Sequence, residues 1–148
     1  MWIATNDRYE RWDLEGFPEI ITDELPEGET AQTPTYFWQL KKVAEIKQHY
    51  AILGTTLEHG GHVWQTDATA QQRITSVYSA LDGGLITTPP QWRTLDNQMV
   101  QMSASEFTSF ALAVLSHQQV TFATMVGHID AVRGLTTIES VQGYTYGE

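Results

Sequence analysis

Cysteine is absent from the chain, so neither a disulfide framework nor a thiolate metal site is possible, and the fold does not depend on oxidation. No apolar run approaches the roughly 20 residues of a membrane-spanning helix. The opening Met1-Trp2-Ile3-Ala4-Thr5-Asn6-Asp7 lacks the basic-then-apolar order of an export signal. A soluble protein is expected, with no membrane partner. Bases are scarce as well: 8 Lys and Arg face 18 Asp and Glu, a formal net charge of -10. Nucleic acid and anionic lipid are both bound by Lys and Arg that displace counterions, so nucleic acid is excluded as a partner and lipid with it.

Signatures of catalysis are missing too. There is no Gly-x-Ser-x-Gly elbow, no phosphate loop and no dinucleotide turn. A glycosidase needs two carboxylates that meet only in the fold, and Glu45, Glu58, Asp67, Asp82, Asp96, Glu106 and Asp130 carry no local pattern that would single out a pair. The five histidines form no metal-binding motif. His59 and His62 flank a glycine turn without a helical His or Glu partner nearby, and His117 and His128 on one helix lie roughly 16 Å apart. The expectation is therefore no enzyme, no cofactor and no metal.

What is present begins with Ser103 to Arg133. Ser103 and Glu106 have capping-box spacing, and Met102 and Phe107 stand where a hydrophobic staple closes over the helix end. Phe107, Phe110, Ala111, Val114, Phe122, Met125, Ile129 and Val132 then recur on a period of 3.6, which predicts one buried face. A helix of about eight turns is longer than one small domain of this size needs, and the surplus points to a partner.

At 148 residues the chain is long enough for one domain with appendages. Met1 to Asp13 reads as a hairpin: Trp2, Ile3, Tyr9 and Trp12 favour strand, and Asn6-Asp7 offers a two-residue turn that tolerates positive φ. A lone hairpin is marginal in water, so these aromatics face either their own domain or a neighbouring protein. From Asp13 to Glu29 there are seven carboxylates, no base, two prolines and two glycines, the composition of a solvated tether. Its acids lack the alternate spacing of a calcium loop.

Thr33-Pro34 opens a helix that ends near Gly54. Gly60-Gly61 makes a turn, His62 to Gln65 a short strand and Asp67 a cap. The next helix carries Ala70, Ile74, Val77, Tyr78 and Leu81 on one face and stops at Gly83-Gly84. Pro89-Pro90 begin an extended segment, and Asp96-Asn97 offers a second two-residue hairpin between Gln91–Leu95 and Gln98–Met102. After Arg133, Thr137 to Val141 predicts a turn or two of helix halted by Gly143. Tyr144 and Tyr146, two apart, point to one side of an extended tail.

The fold class expected is α+β, mainly helical: a three-helix body with short β-hairpins and an N-terminal β-hairpin arm. Candidate interface residues are Trp2, Ile3, Tyr9, Trp12, Tyr144 and Tyr146. The run Gly60-Gly61-His62-Val63-Trp64-Gln65-Thr66-Asp67, then Gln71-Gln72-Arg73-Ile74, then Trp92 to Met102 and the helix with His117, resembles the DUF4376 domain of bacteriophage tail proteins over about Lys42 to Leu135. On that resemblance the chain divides into a hairpin and acidic tether (1–32), a helical domain (33–135) and a C-terminal tail (136–148). Members are commonly encoded near tail fibre or baseplate genes. The resemblance implies an adaptor in the phage tail, assembled in the host cytoplasm, with tail fibre or baseplate proteins as partners and several copies together, a trimer among the possibilities. The alternative is a fibre assembly chaperone absent from the finished virion.

Overall fold

Strand-favouring side chains at both ends of the first thirteen residues pair with one another. In the computed structural model β1 (Trp2–Ala4) runs antiparallel to β2 (Tyr9–Trp12), with Trp2 opposite Arg11 and Ala4 opposite Tyr9. The described residues are all but Leu14, Glu15, Phe17 and Glu148. The expected hairpin forms, but its turn does not use positive φ, which Asn97 alone adopts among the described non-glycine residues. Thr5 closes it instead, with its amide and its hydroxyl each donating to the Arg8 carbonyl at 2.9 Å.

The acidic stretch is not a free tether. β3 (Pro18–Thr22) pairs antiparallel with β2, and β4 (Ala31–Gln32) returns parallel to β1, so the sheet order is β3-β2-β1-β4. Ile20, Ile21 and Thr22 are β-branched and prefer a pleated strand, while the flanking acids stay in water. Counting charge hid that preference. Glu15, one of the seven carboxylates, lies outside the described residues.

The chain forms two compact units, Met1–Gln48 with Val126–Glu148, and His49–Met125. The first holds the four-stranded sheet and most of α1 (Pro34–Leu53), whose head is capped by the Thr33 hydroxyl accepting from the Tyr36 amide at 3.2 Å. Its buried side chains include Ile3, Phe37, Val43, Ile46, Ile129, Val132 and Val141. Gln39 of α1 donates its side-chain amide to the carbonyls of Arg133 (3.2 Å) and Leu135 (2.7 Å), satisfying acceptors that a helix end leaves open.

In the second unit β5 (Thr56–His59) and β6 (His62–Gln65) form a hairpin through Gly60 and Gly61, at φ +61° and +78°. Two consecutive positive φ values match the twist of the strands and suit glycine, which is why this turn reads so clearly. The partner strand β5 had no signal of its own. Asp67 caps α2 (Ala68–Asp82), accepting from the Ala70 amide at 2.8 Å. β7 (Trp92–Arg93) and β8 (Met99–Val100) pair as Trp92 with Val100 and Arg93 with Met99. Their loop has three residues, not two: the Thr94 amide donates to the Gln98 carbonyl at 2.9 Å and Asn97 takes φ 66°. That is the turn-plus-left-handed residue of a longer hairpin, which Asn tolerates.

α3 (Ala104–Arg133) starts at the capping box: Glu106 accepts from the Ser103 amide at 2.7 Å, and the Ser103 hydroxyl accepts from the Glu106 amide at 3.2 Å. Its expected single face is interrupted. Phe107, Phe110 and Val114 are buried in the second unit, and Ile129 and Val132 in the first, but Phe122 is 63% exposed. Phe122 lies to one side of the line through the others, since it is offset about 60° around the helix from Phe107. α4 (Ile138–Gln142), capped by Thr137 and stopped at Gly143, is the short helix expected.

Trp64, Ile74, Met102, Phe107, Phe110 and Val114 make the second unit's core. Phe110 sits 5.0 Å from Trp64 and 5.9 Å from Phe107 between ring centroids, and Phe107 is 5.3 Å from Trp92. Replacing Phe110 by Ala removes a side chain with no exposed surface at the centre of these contacts. It should cost about 3–5 kcal/mol in urea unfolding; a loss below about 1 kcal/mol would show that the ring is not central to the core.

Candidate interaction surface

The sheet of the first unit buries one end of its own hairpin and leaves the other open. Trp2 and Ile3 are 9% and 0% exposed, so both are largely covered within this unit. Tyr9 is half-buried on β2, and so is Trp12. The Trp12 ring meets Phe37 edge-on at 5.1 Å, Phe37 meets Trp38 at 5.8 Å, and the Lys41 ammonium lies 5.0 Å over the Trp38 ring. Beside this aromatic row is a groove of about 660 Å³, lined by the apolar side chains of Met1, Trp12, Phe37, Leu40 and Ala44 and by the charged residues Arg11, Asp13, Glu19 and Lys41.

Trp12 is held in place from within the sheet. Its indole N–H donates to Glu10 at 2.7 Å, and the other carboxylate oxygen of Glu10 accepts from Arg8 at 2.9 Å. The Trp12 hydrogen bond first, and then Arg8, hold the Glu10 carboxyl below the usual glutamate range against the opposing effect of its burial. This buried carboxylate is therefore a positioning group for the aromatic wall, a role that sequence reading missed because a charge in a strand ordinarily faces water.

Tyr144 and Tyr146 dock on their own unit. The Tyr144 hydroxyl is 2.8 Å from His128 Nδ1, and Lys42 lies 5.8 Å over the Tyr146 ring. Desolvation, reinforced by Glu45, raises the Tyr146 phenol above its ordinary range. Of the six candidate interface residues, the structure thus gathers Trp12 into an open groove and turns the two tail tyrosines inward.

The second unit has its own apolar surface. A groove of about 340 Å³ runs between α2 and α3, walled by Ile74, Tyr78, Ala111, Leu112 and Leu115. The histidines of this unit pack on rings or backbone. His62 meets Trp64 at 5.5 Å, His59 lies 6.1 Å from Phe110, and His117 Nε2 is 3.1 Å from the Leu53 carbonyl. Among the described residues no three His, Asp or Glu side chains gather as a metal site would require, and no helix is long and apolar enough to cross a membrane.

Residues 39–145 match the domain family described as Domain of unknown function (DUF4376). No curated protein and no solved structure matches the chain.

Because the Glu10 carboxyl titrates below its ordinary range, its ion pair and indole contact persist above that range and are lost as pH falls through the lowered value. In an NMR titration the Trp12 indole N–H resonance should shift with a midpoint below that of ordinary glutamates. A midpoint at or above them would contradict the coupling.

Proposed function

Since the chain belongs to the DUF4376 family, whose function is unknown, we propose from its surface that it is a non-enzymatic adaptor of a bacteriophage tail, binding a tail fibre or baseplate protein in the groove beside Trp12. The observation that carries this reading is the groove itself. A groove lined by a tryptophan, a phenylalanine and aliphatic side chains, with charged groups of both signs among them, has the composition of a protein-binding hot spot. Trp12 is pre-positioned by Glu10, so little side-chain freedom is lost when a partner docks. The tail assignment rests on the resemblance, since members are commonly encoded near tail fibre or baseplate genes. On this reading the protein assembles in the host cytoplasm and stays in the virion in several copies.

One observation favours a second reading, a fibre assembly chaperone that leaves before the particle is finished. β3 is an edge strand whose Ile20 and Ile21 are 42% and 52% exposed among carboxylates. An edge of that kind can pair with a strand of an incomplete fibre chain, and the surrounding charge keeps the pair in solution.

Quantitative mass spectrometry of purified virions separates the two readings. An adaptor is present at fixed stoichiometry, and a chaperone is missing. Leu40→Glu places a charge in the groove wall at a side chain already 39% exposed. It should leave thermal unfolding near that of the parent while reducing incorporation into particles at least about tenfold, the effect of burying an unpaired charge at a binding site. Unchanged incorporation would remove the groove from the mechanism.

A further inference from the structure

Positive charge is scarce in the second unit, and what there is converges. Between His49 and Met125 the sequence has five acids (Glu58, Asp67, Asp82, Asp96 and Glu106), two arginines (Arg73 and Arg93) and no lysine. The arginines belong to different elements. Asp67 caps α2 and so fixes Arg73 in its second turn, while the pairing of β7 with β8 sets Arg93 opposite Met99. Both nevertheless line one groove of about 320 Å³, whose other walls are Gln65, Ala70, Gln91, Trp92 and Met99.

The hydrogen-bonding capacity of these side chains is largely unused. Among the described residues neither arginine makes an ion pair, and both are exposed. The Trp92 indole N–H and the Gln91 carboxamide likewise have no partner among the described residues, whereas Trp12 and Trp64 donate theirs to Glu10 and to the His59 carbonyl. Asp67 does not neutralise the site, because its carboxylate already accepts from the Ala70 amide and the Gln65 side chain. Those two contacts, the Ala70 amide first, keep the Asp67 carboxyl below the ordinary aspartate range, and Arg73 contributes least. A single solvated arginine needs no ligand. Two at one recess raise the local positive potential, and an anion between them relieves it.

The kind of anion follows from shape and charge. A guanidinium presents a flat fork of donors that matches a carboxylate bidentately. Phosphate is matched as well, but the chain's net charge of -10 repels a dianion about twice as strongly as a monoanion. Trp92 is half-buried and braced from behind by Phe107 at 5.3 Å and Phe110 at 6.4 Å, and Met99 is 55% exposed. A held indole beside a thioether is an apolar wall for a ring. The volume lies at the small end of ligand sites, which suits one ring rather than a folded segment.

We propose that this groove binds a ring-bearing monocarboxylate, with the carboxylate on Arg73 and Arg93 and the ring against Trp92. The site does not depend on the phage tail reading. It lies in a different unit from the Trp12 groove and is tested without any phage component.

The test is an NMR titration of the full chain, following the Trp92 indole N–H at constant ionic strength because exposed charges are screened by salt. The probes are sodium benzoate and sodium glucuronate, their neutral counterparts benzamide and glucose, inorganic phosphate, and a glutamate-rich peptide. At least one carboxylate should give a saturable shift at millimolar concentration that its neutral counterpart does not, and which of the two binds tells an aromatic ring from a sugar. Arg73→Gln and Arg93→Gln, at side chains already in water, should keep the circular dichroism melt of the parent and weaken that binding at least about fivefold, the loss of one charge-assisted hydrogen bond at an open site. Absence of saturable binding by either carboxylate would overturn the proposal, as would a neutral counterpart that binds equally well. So would tighter binding of phosphate or of the peptide than of both carboxylates, or binding unchanged in both variants. If one variant fails to fold, the other decides the matter.

Discussion

Phe110 meets Trp64 and Phe107 in one dry cluster, and the second unit depends on those ring contacts. The rings come from three elements, two strands and a helix: Trp64 from β6, Phe107 and Phe110 from α3, and Trp92, packed on Phe107, from β7. Strands of two and four residues cannot stand alone. They persist because each contributes a large aromatic that has no other place to leave water. Polar groups then join the pieces. The Thr66 hydroxyl and the Gln118 amide both donate to the Gly54 carbonyl, at 2.8 and 2.7 Å, so the exit of α1 is satisfied by side chains from two other segments of the unit.

Charge is partitioned along this chain, and the partition divides the surface into different kinds of contact. Acids concentrate before Glu29, where they surround β3 and leave Ile20 and Ile21 on a solvated edge. α3 is uncharged through its middle turns, and its apolar side chains outnumber what one buried face can hold. The groove beside Trp12 lies between these extremes, with apolar and charged side chains both lining it. The one buried carboxylate described above, Glu10, is satisfied within the fold by Trp12 and Arg8.

Helix ends were legible in the chain because their causes are local. A hydroxyl three residues before a carboxylate, a Thr before a Pro and a pair of glycines all act within one turn, and the structure follows them at Ser103, Thr33, Asp67 and Gly83. The Gly60-Gly61 turn was legible for the same reason. β3 was not, because the acids around it hid the strand preference of Ile20, Ile21 and Thr22; β5 and the three-residue loop at Asn97 were not, because a short strand and its loop are fixed by the partner that the strand pairs with. The candidate surface divides in the same way. Aromatic content marked Trp12, Trp2 and the tail tyrosines equally, and only their packing separates Trp12, which lines a groove, from the others.

By itself the sequence determined the α+β class, the extent of the helices, their caps and the family. The class, the helices and their caps follow from side-chain period and from hydrogen bonds within a few residues, and the family from the resemblance carried by Gly60 to Ile74 and Trp92 to Met102. Tertiary structure alone decided that Trp2 and Ile3 face inward, that the acidic stretch becomes a strand, and that Phe122 stays in water with Leu112 and Leu115. Burial depends on which distant segments arrive at a given face, and that depends on all the packing at once rather than on any neighbourhood of the chain.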